Sequence, residues 1–127
     1  MVKFNSFKLF NSDRLDFLKS LKNNSVQLII TSPPYNIGKS YEIKKSFEEY
    51  LYEQKKTLEE CVRVLNNKGS ICWQVGTYVK NSEIIPLDIE IYNICKKLNL
   101  KLRNRIAWHF EHGLHASKRF SGRYETI

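Results

Sequence analysis

The sequence predicts an α/β fold with a mostly parallel sheet, and three observations carry that prediction. Residues 26–31, Val-Gln-Leu-Ile-Ile-Thr, form a short, largely apolar and β-branched run that suits a strand buried on both faces. A long segment of helical periodicity follows over residues 47–65, and a second short apolar run, Ser-Ile-Cys-Trp-Gln-Val, occupies residues 70–75. Strand, helix and strand in that order make a βαβ unit with parallel strands.

Taken in order, residues 8–10 alternate weakly and read as a small strand. Asn11 or Ser12 is placed to cap a helix, with Asp13 in its first turn and Leu15, Phe17, Leu18 and Leu21 on one face. Asn23-Asn24 closes that helix before the strand at Val26. Pro33 and Pro34 must end the strand, because they carry no backbone N–H for a ladder. The sheet therefore stops at Thr31 or Ser32, and residues 32–35 become a stiff loop at the strand's C-terminal edge, where open α/β sheets place their ligands. Residues 36–45 form a polar loop with Gly38. Ser46-Phe47-Glu48-Glu49 has the pattern of a capping box. The helix behind it aligns Phe47, Tyr50, Leu51, Leu58, Cys61, Val62 and Leu65 as a core stripe. Gly69 is expected to stop it.

Pro86 suits the first turn of a third helix reaching about Leu98, with Leu87, Ile91, Tyr92, Cys95 and Leu98 apolar. Residues 100–110 then alternate: Leu102, Ile106, Trp108 and Phe110 share one side, and Lys101, Arg103, Arg105 and His109 the other, as in a strand with a basic outer face. Residues 111–127 are basic and irregular. Tyr124 to Ile127 looks like the opening of another strand.

Composition narrows the function. The 127 residues suit one domain, and 42% hydrophobic with 27% charged content is that of a globular protein. No stretch approaches the ~20 apolar residues of a membrane span, and the first residues lack the h-region of a signal peptide, so the expected location is the cytoplasm and no membrane partner is expected. Cys61, Cys72 and Cys95 form no Cys-x-x-Cys pair and read as buried thiols. His109, His112 and His115 recur every third residue, but no carboxylate or cysteine completes a set, so no metal is expected. A net charge of +8 points to a polyanion, although a solvated basic face has the same signature.

Ser32-Pro33-Pro34-Tyr35, after an apolar strand, resembles the catalytic motif of the S-adenosylmethionine-dependent DNA amino-methyltransferases, (Asp/Asn/Ser)-Pro-Pro-(Tyr/Phe/Trp). That family methylates N4 of cytosine or N6 of adenine. Two further stretches support the resemblance. Residues 58–73 match a helix ending in Arg-Val-Leu that leads to the next core strand. Trp108, Lys118, Arg119, Phe120, Arg123, Glu125 and Ile127 match a phrase peculiar to these enzymes. The resemblance implies a partial Rossmann-like methyltransferase fold, three-layered α/β/α. It implies S-adenosyl-L-methionine as cofactor and double-stranded DNA as partner, within a restriction–modification system. Ser32, Pro33, Pro34 and Tyr35 would be catalytic, and Asn36, Lys39, Lys118, Arg119 and Arg123 would contact nucleic acid.

The chemistry explains these residue types. An exocyclic amine is a poor nucleophile, because its lone pair is delocalised into the ring. Two acceptors on its hydrogens, the Ser32 side chain and the Pro33 carbonyl, would re-aim that lone pair at a methyl sulfonium. Proline stiffness fixes both acceptors beforehand. Tyr35 would stack on a base flipped out of the duplex, worth roughly 1–3 kcal/mol. Ser32 leans modestly toward cytosine N4, while Asn36 after Tyr35 is common in adenine enzymes.

The family's Phe-x-Gly-x-Gly cofactor loop has no counterpart, since all five glycines are isolated. Residues 1–127 thus read as a single partial catalytic domain, with residues 111–127 a basic loop toward the target-recognition region and the cofactor-binding residues unknown. Such a half is expected to be inactive alone, and a complementing C-terminal half or a cognate restriction enzyme is an expected partner. Two other readings stay open: a catalytically silent, basic nucleic-acid-binding fragment, and a methyltransferase acting on RNA or on protein glutamine.

Overall fold

The computed structural model describes residues 6–40, 43–111 and 123–127. The first helix, α1, spans Arg14–Ser20, and its N-cap is Asp13 rather than Asn11 or Ser12. The Asp13 carboxylate accepts the Leu15 N–H at 2.8 Å, which satisfies an orphan donor of the first turn and lowers the Asp13 pKa. Residues 8–10 form no strand: they are exposed coil, with no neighbouring strand among the described residues to complete a ladder.

Strand β1, Val26–Thr31, lies where the apolar run places it. Helix α2, Phe47–Val64, starts with the expected capping box: Ser46 Oγ accepts the Glu49 N–H at 3.1 Å, and the Glu49 carboxylate accepts the Ser46 N–H at 3.0 Å. Its inward stripe holds Tyr50, Leu58, Cys61 and Val64. Gln54 and Thr57 complete that stripe by helical spacing despite their polarity.

The second strand departs from expectation. β2 is Leu65–Trp73 and begins directly after α2, so Gly69 stops no helix. The helix ends because Leu65 turns extended, φ −68° and ψ 133°, while its N–H still donates to Cys61 O. β1 and β2 pair in parallel, as the βαβ reading requires. Val26 faces Leu65 but Leu28 already faces Ser70, so the intervening residues of β2 bulge out of register. Gly69 sits in that bulge, where a β-carbon would stand 2.7 Å from the Leu65 side chain and 3.0 Å from the Gln27 carbonyl oxygen.

A hairpin follows that the sequence reading missed. β3, Thr77–Lys80, pairs antiparallel with β4, Glu83–Pro86. Asn81 and Ser82 between them both have positive φ, 51° and 66°, the backbone of a two-residue hairpin turn. Phe47 stacks on Tyr78 at 5.2 Å, seating the hairpin on the start of α2. Pro86 then caps α3, Leu87–Lys97, from outside its first turn.

The segment 100–110 is mostly not a strand. Only β5, Ala107–His109, pairs, and its antiparallel partner is β6, Tyr124–Thr126. Leu102, Ile106 and Trp108 are exposed, so their alternation does not mark a buried face among the described residues. Thr126 also exchanges both backbone hydrogen bonds with Val75, at 2.9 and 3.0 Å, which joins β6 to the chain just beyond β2. Of the three strand pairs among the described residues, one is parallel and two are antiparallel.

The core lies on one face of the β1–β2 pair. Leu58, Val64, Trp73, Val75, Tyr78, Leu87 and Ile91 are buried in one cluster, with Leu18 at its edge. The expectation that β1 is buried on both faces fails. Ile29 packs against the core, whereas Leu28 and Ile30 are 53% and 72% exposed on the opposite face, where no described element lies over them. No helix among the described residues is long and apolar enough to cross a membrane.

Candidate active site

The site begins where the parallel ladder ends. Gln74 N–H donates to Thr31 O at 2.9 Å, one step beyond the last paired residues of β1 and β2. Ser32-Pro33-Pro34-Tyr35 leaves the sheet there, and the two prolines cannot continue the ladder. Ser32 is exposed and Tyr35 half-buried. Their hydroxyl oxygens are 2.9 Å apart.

Tyr35 is anchored from two directions. Its hydroxyl donates to Glu125 Oε2 at 3.1 Å, across 90 residues of sequence. The Gln74 side-chain amide donates to the same oxygen at 2.6 Å. Gly76 lies under the Tyr35 ring, where a β-carbon would stand 2.9 Å from two ring carbons. β6 brings Glu125 there because Thr126 is locked to Val75.

Beneath the proline loop, between β1 and the α1–α2 layer, lies a cavity of about 590 Å³. Ile29, Phe17 and Leu18 are among its apolar walls, and Ser32, Pro33 and Pro34 form its rim. Gln54 Oε1 and Trp73 Nε1, an acceptor and a donor, are buried against this space without a hydrogen-bond partner among the described residues. Buried polar atoms of this kind are uncommon and mark where a polar ligand or water would bind. At the mouth, Glu53 pairs with Lys45 and, at 3.6 Å, with Arg14. Arg14 Nε also donates to Thr57 Oγ1 at 3.0 Å. These contacts tie α1, α2 and the loop after Tyr35 together. As half-exposed ion pairs they add little stability, about 1 kcal/mol or less each.

The expected nucleic-acid contacts fall differently. Asn36 is 3% exposed with φ 60°. Its side chain accepts the Lys45 N–H at 2.8 Å and donates to Lys45 O at 2.9 Å. Its amide therefore closes the 36–45 loop. Lys39 and Arg123 are exposed. Lys118 and Arg119 lie outside the described residues, as do His112 and His115. Glu53, Gln74 and Gly76 were not singled out in the sequence. Glu125 entered only as part of a matched phrase, and its distance in sequence hid its contact with Tyr35. The three cysteines are free thiols, Cys61 buried and the others half-buried.

Comparison with known proteins decides the family. The DNA methylase model of the N6/N4 class matches residues 26–127. The chain belongs to this family. Type II methyltransferase M.BglII of Bacillus subtilis is 50% identical over 121 residues, covering 94% of this chain and 34% of that protein. A DNA modification methylase of Thermus thermophilus, TTHA0409, superposes with a TM-score of 0.74 at 28% identity, over 91% of this chain and 50% of that one. A structure of it complexed with S-adenosyl-L-methionine aligns with a TM-score of 0.72. The cytosine-N4-specific PvuII DNA methyltransferase, 17% identical, shares the fold with a TM-score of 0.75. The chain has the Rossmann-like fold of these methyltransferases, and it spans a third to a half of the proteins compared.

Proposed function

We propose that this chain supplies the catalytic half of a site that moves a methyl group from S-adenosyl-L-methionine to the exocyclic amine of a base flipped out of double-stranded DNA. The observation that carries this reading is the Ser32-Pro33-Pro34-Tyr35 loop, which leaves the sheet at the C-terminal end of β1 and rims the cavity. A serine oxygen, a proline carbonyl and an aromatic ring are gathered in four residues, on a backbone stiffened before the base arrives.

The residues present fit the reacting end of the cofactor. The cavity beside Ser32 has apolar walls and an unpartnered acceptor, Gln54 Oε1, suited to a sulfonium that carries positive charge on an apolar frame. When bound, the cofactor supplies an electrophilic methyl group. Among the described residues no glycine-rich loop follows a strand to hold its nucleoside.

Ser32 Oγ and the Pro33 carbonyl accept the two amine hydrogens, which draws the nitrogen toward tetrahedral geometry and frees its lone pair. The Tyr35 ring stacks on the base and offsets part of the cost of unstacking it. Ser32 favours cytosine N4 over adenine N6. The +8 charge favours the phosphate backbone as the long-range attraction. The Rossmann-like half is completed by a further cofactor-binding segment, and the reaction belongs with a restriction–modification system and its cognate restriction enzyme in the cytoplasm.

The test is a hybrid enzyme in which this chain replaces the part of M.BglII that it matches. Expressed in a host lacking amino-methylation, the hybrid should leave N4-methylcytosine in the DNA, read by nucleoside mass spectrometry. N6-methyladenine would overturn the choice of base. A folded hybrid that binds S-adenosyl-L-methionine and DNA yet leaves neither product would overturn the reading.

A further inference from the structure

We infer that Glu125 is a positioning residue that fixes the direction of the Ser32 hydroxyl through Tyr35, leaving Ser32 Oγ as a hydrogen-bond acceptor toward the cavity rim. The inference rests on the reading of Ser32 as an acceptor for the amine, and adds to it the group that makes Ser32 one.

The argument is a count of hydrogens. A carboxylate oxygen has none to give, so both groups on Glu125 Oε2 must donate to it: the Gln74 amide at 2.6 Å and the Tyr35 hydroxyl at 3.1 Å. A phenol has one hydrogen, and Tyr35 spends it on Glu125. The 2.9 Å contact between Ser32 and Tyr35 could in isolation run either way. With the Tyr35 hydrogen committed, only the Ser32 hydroxyl can donate in it. Its single hydrogen then points back at Tyr35, and its lone pairs are left for an N–H.

A serine free to rotate would offer the amine a donor as readily as an acceptor. A donor there would repel the amine hydrogens and compete for the lone pair that must attack. An acceptor fixed in advance spares that reorganisation at the moment of reaction. The anchor is well braced. Thr126, the next residue, is bonded in both directions to Val75, and Gly76 leaves the Tyr35 ring no room to slide toward that strand.

The test has two arms. In the first, the 127-residue chain is labelled with ¹³C on its tyrosine rings, and the Tyr35 signal is identified by its loss in Tyr35→Phe. Glu125→Ala should move the Tyr35 signal more than that of any other tyrosine. Glu125→Gln, whose amide oxygen can accept the same two donors, should restore most of the wild-type position. A Tyr35 signal indifferent to Glu125→Ala would overturn the inference, whatever the enzyme does.

The second arm measures single-turnover methyl transfer by the M.BglII hybrid. Tyr35→Phe keeps the stacking ring and breaks the chain of hydrogen bonds. Tyr35→Phe, Glu125→Ala and the double variant should each slow transfer by about tenfold, with the double no worse than either single, as groups acting in series do. Glu125→Gln should recover most of the loss, and DNA affinity should change little in all four. Losses that multiply in the double variant would overturn the inference. An inactive parent hybrid would instead defeat the functional reading beneath it, while the first arm still decides whether the hydrogen-bond chain exists.

Discussion

The Gly76 backbone lies against the Tyr35 ring so closely that a β-carbon at position 76 would stand 2.9 Å from Cδ2 and Cε2 of that ring. Tyr35 cannot swing aside, because its hydroxyl is held by Glu125. Gly76→Ala should therefore cost about 1–3 kcal/mol, as overpacking does in tightly packed sites. Urea unfolding followed by tryptophan fluorescence would read the loss as a lower midpoint with unchanged slope. An unchanged midpoint would mean that the ring has room the structure does not show.

The one-sided core makes opposite predictions for neighbouring elements. Leu58 is fully buried between α2 and the sheet, and Leu58→Ala should destabilise by about 2–5 kcal/mol. Ile30, on the open face of β1, is 72% exposed, and Ile30→Thr keeps the β-branched shape. It should stay within about 0.5 kcal/mol of the parent chain. Paired thermal melts would check both. Comparable losses would show that the open face is covered in solution.

Arg63 docks α1 onto α2. Its guanidinium donates to Leu18 O at 2.7 Å, to Leu21 O at 3.0 Å and to Asn23 Oδ1 at 2.6 Å, while Glu60 holds its other edge. These contacts gather at the C-terminal end of α1, where the Leu18 carbonyl also accepts the Leu21 N–H at 3.0 Å. Arg63→Ala should cost about 2–3 kcal/mol, and Arg63→Lys should recover little, since one ammonium cannot span the fork. Amide hydrogen exchange should show α1 opening before α2. Uniform loss of protection across both helices would contradict this.

Burial pushes the Cys61 thiol up to about 11 from an ordinary 9.0, with repulsion from Glu60 and Cys95 adding to it. The fold favours the neutral thiol, so its contribution is complete below the unfolded value near 9 and is lost as pH rises toward 11. Across that window stability should fall by an additional ~2–3 kcal/mol compared with Cys61→Ala. Urea titrations of both proteins at several pH values would check the difference. Parallel pH curves would show that Cys61 is not the group responsible.

The sequence was most legible where one physical signal dominates a short stretch. The capping box at Ser46, the β-branched run of β1 and the proline stop after Ser32 each depend on neighbours in the chain, and each lies where it was read. Failures came where long-range contacts decide. Residues 65–69 look like a helix end with a glycine stop, but parallel pairing with β1 draws Leu65 into the strand at once and turns Gly69 into a point of close approach. The β3–β4 hairpin does carry a local signal, two β-branched runs around Asn81-Ser82, but it adjoins the stronger helix-start signal of Pro86. The alternation at residues 100–110 was real but meets too little of a partner to form more than three residues of strand. In the site, the position of the proline loop at the end of β1 was legible from its residue types. Glu125 and Gln74 were not, because nothing local links them to Tyr35.

The central claim is that methyl transfer occurs at Ser32 and Tyr35. The most direct measurement is the single-turnover rate of methyl incorporation by the M.BglII hybrid carrying Ser32→Ala or Tyr35→Ala, with DNA and S-adenosyl-L-methionine saturating. Ser32→Ala removes one preorganised acceptor and should slow transfer by about 10²–10³-fold, and Tyr35→Ala should also weaken productive DNA binding. Transfer at the parental rate in both variants would place the chemistry elsewhere and contradict the account.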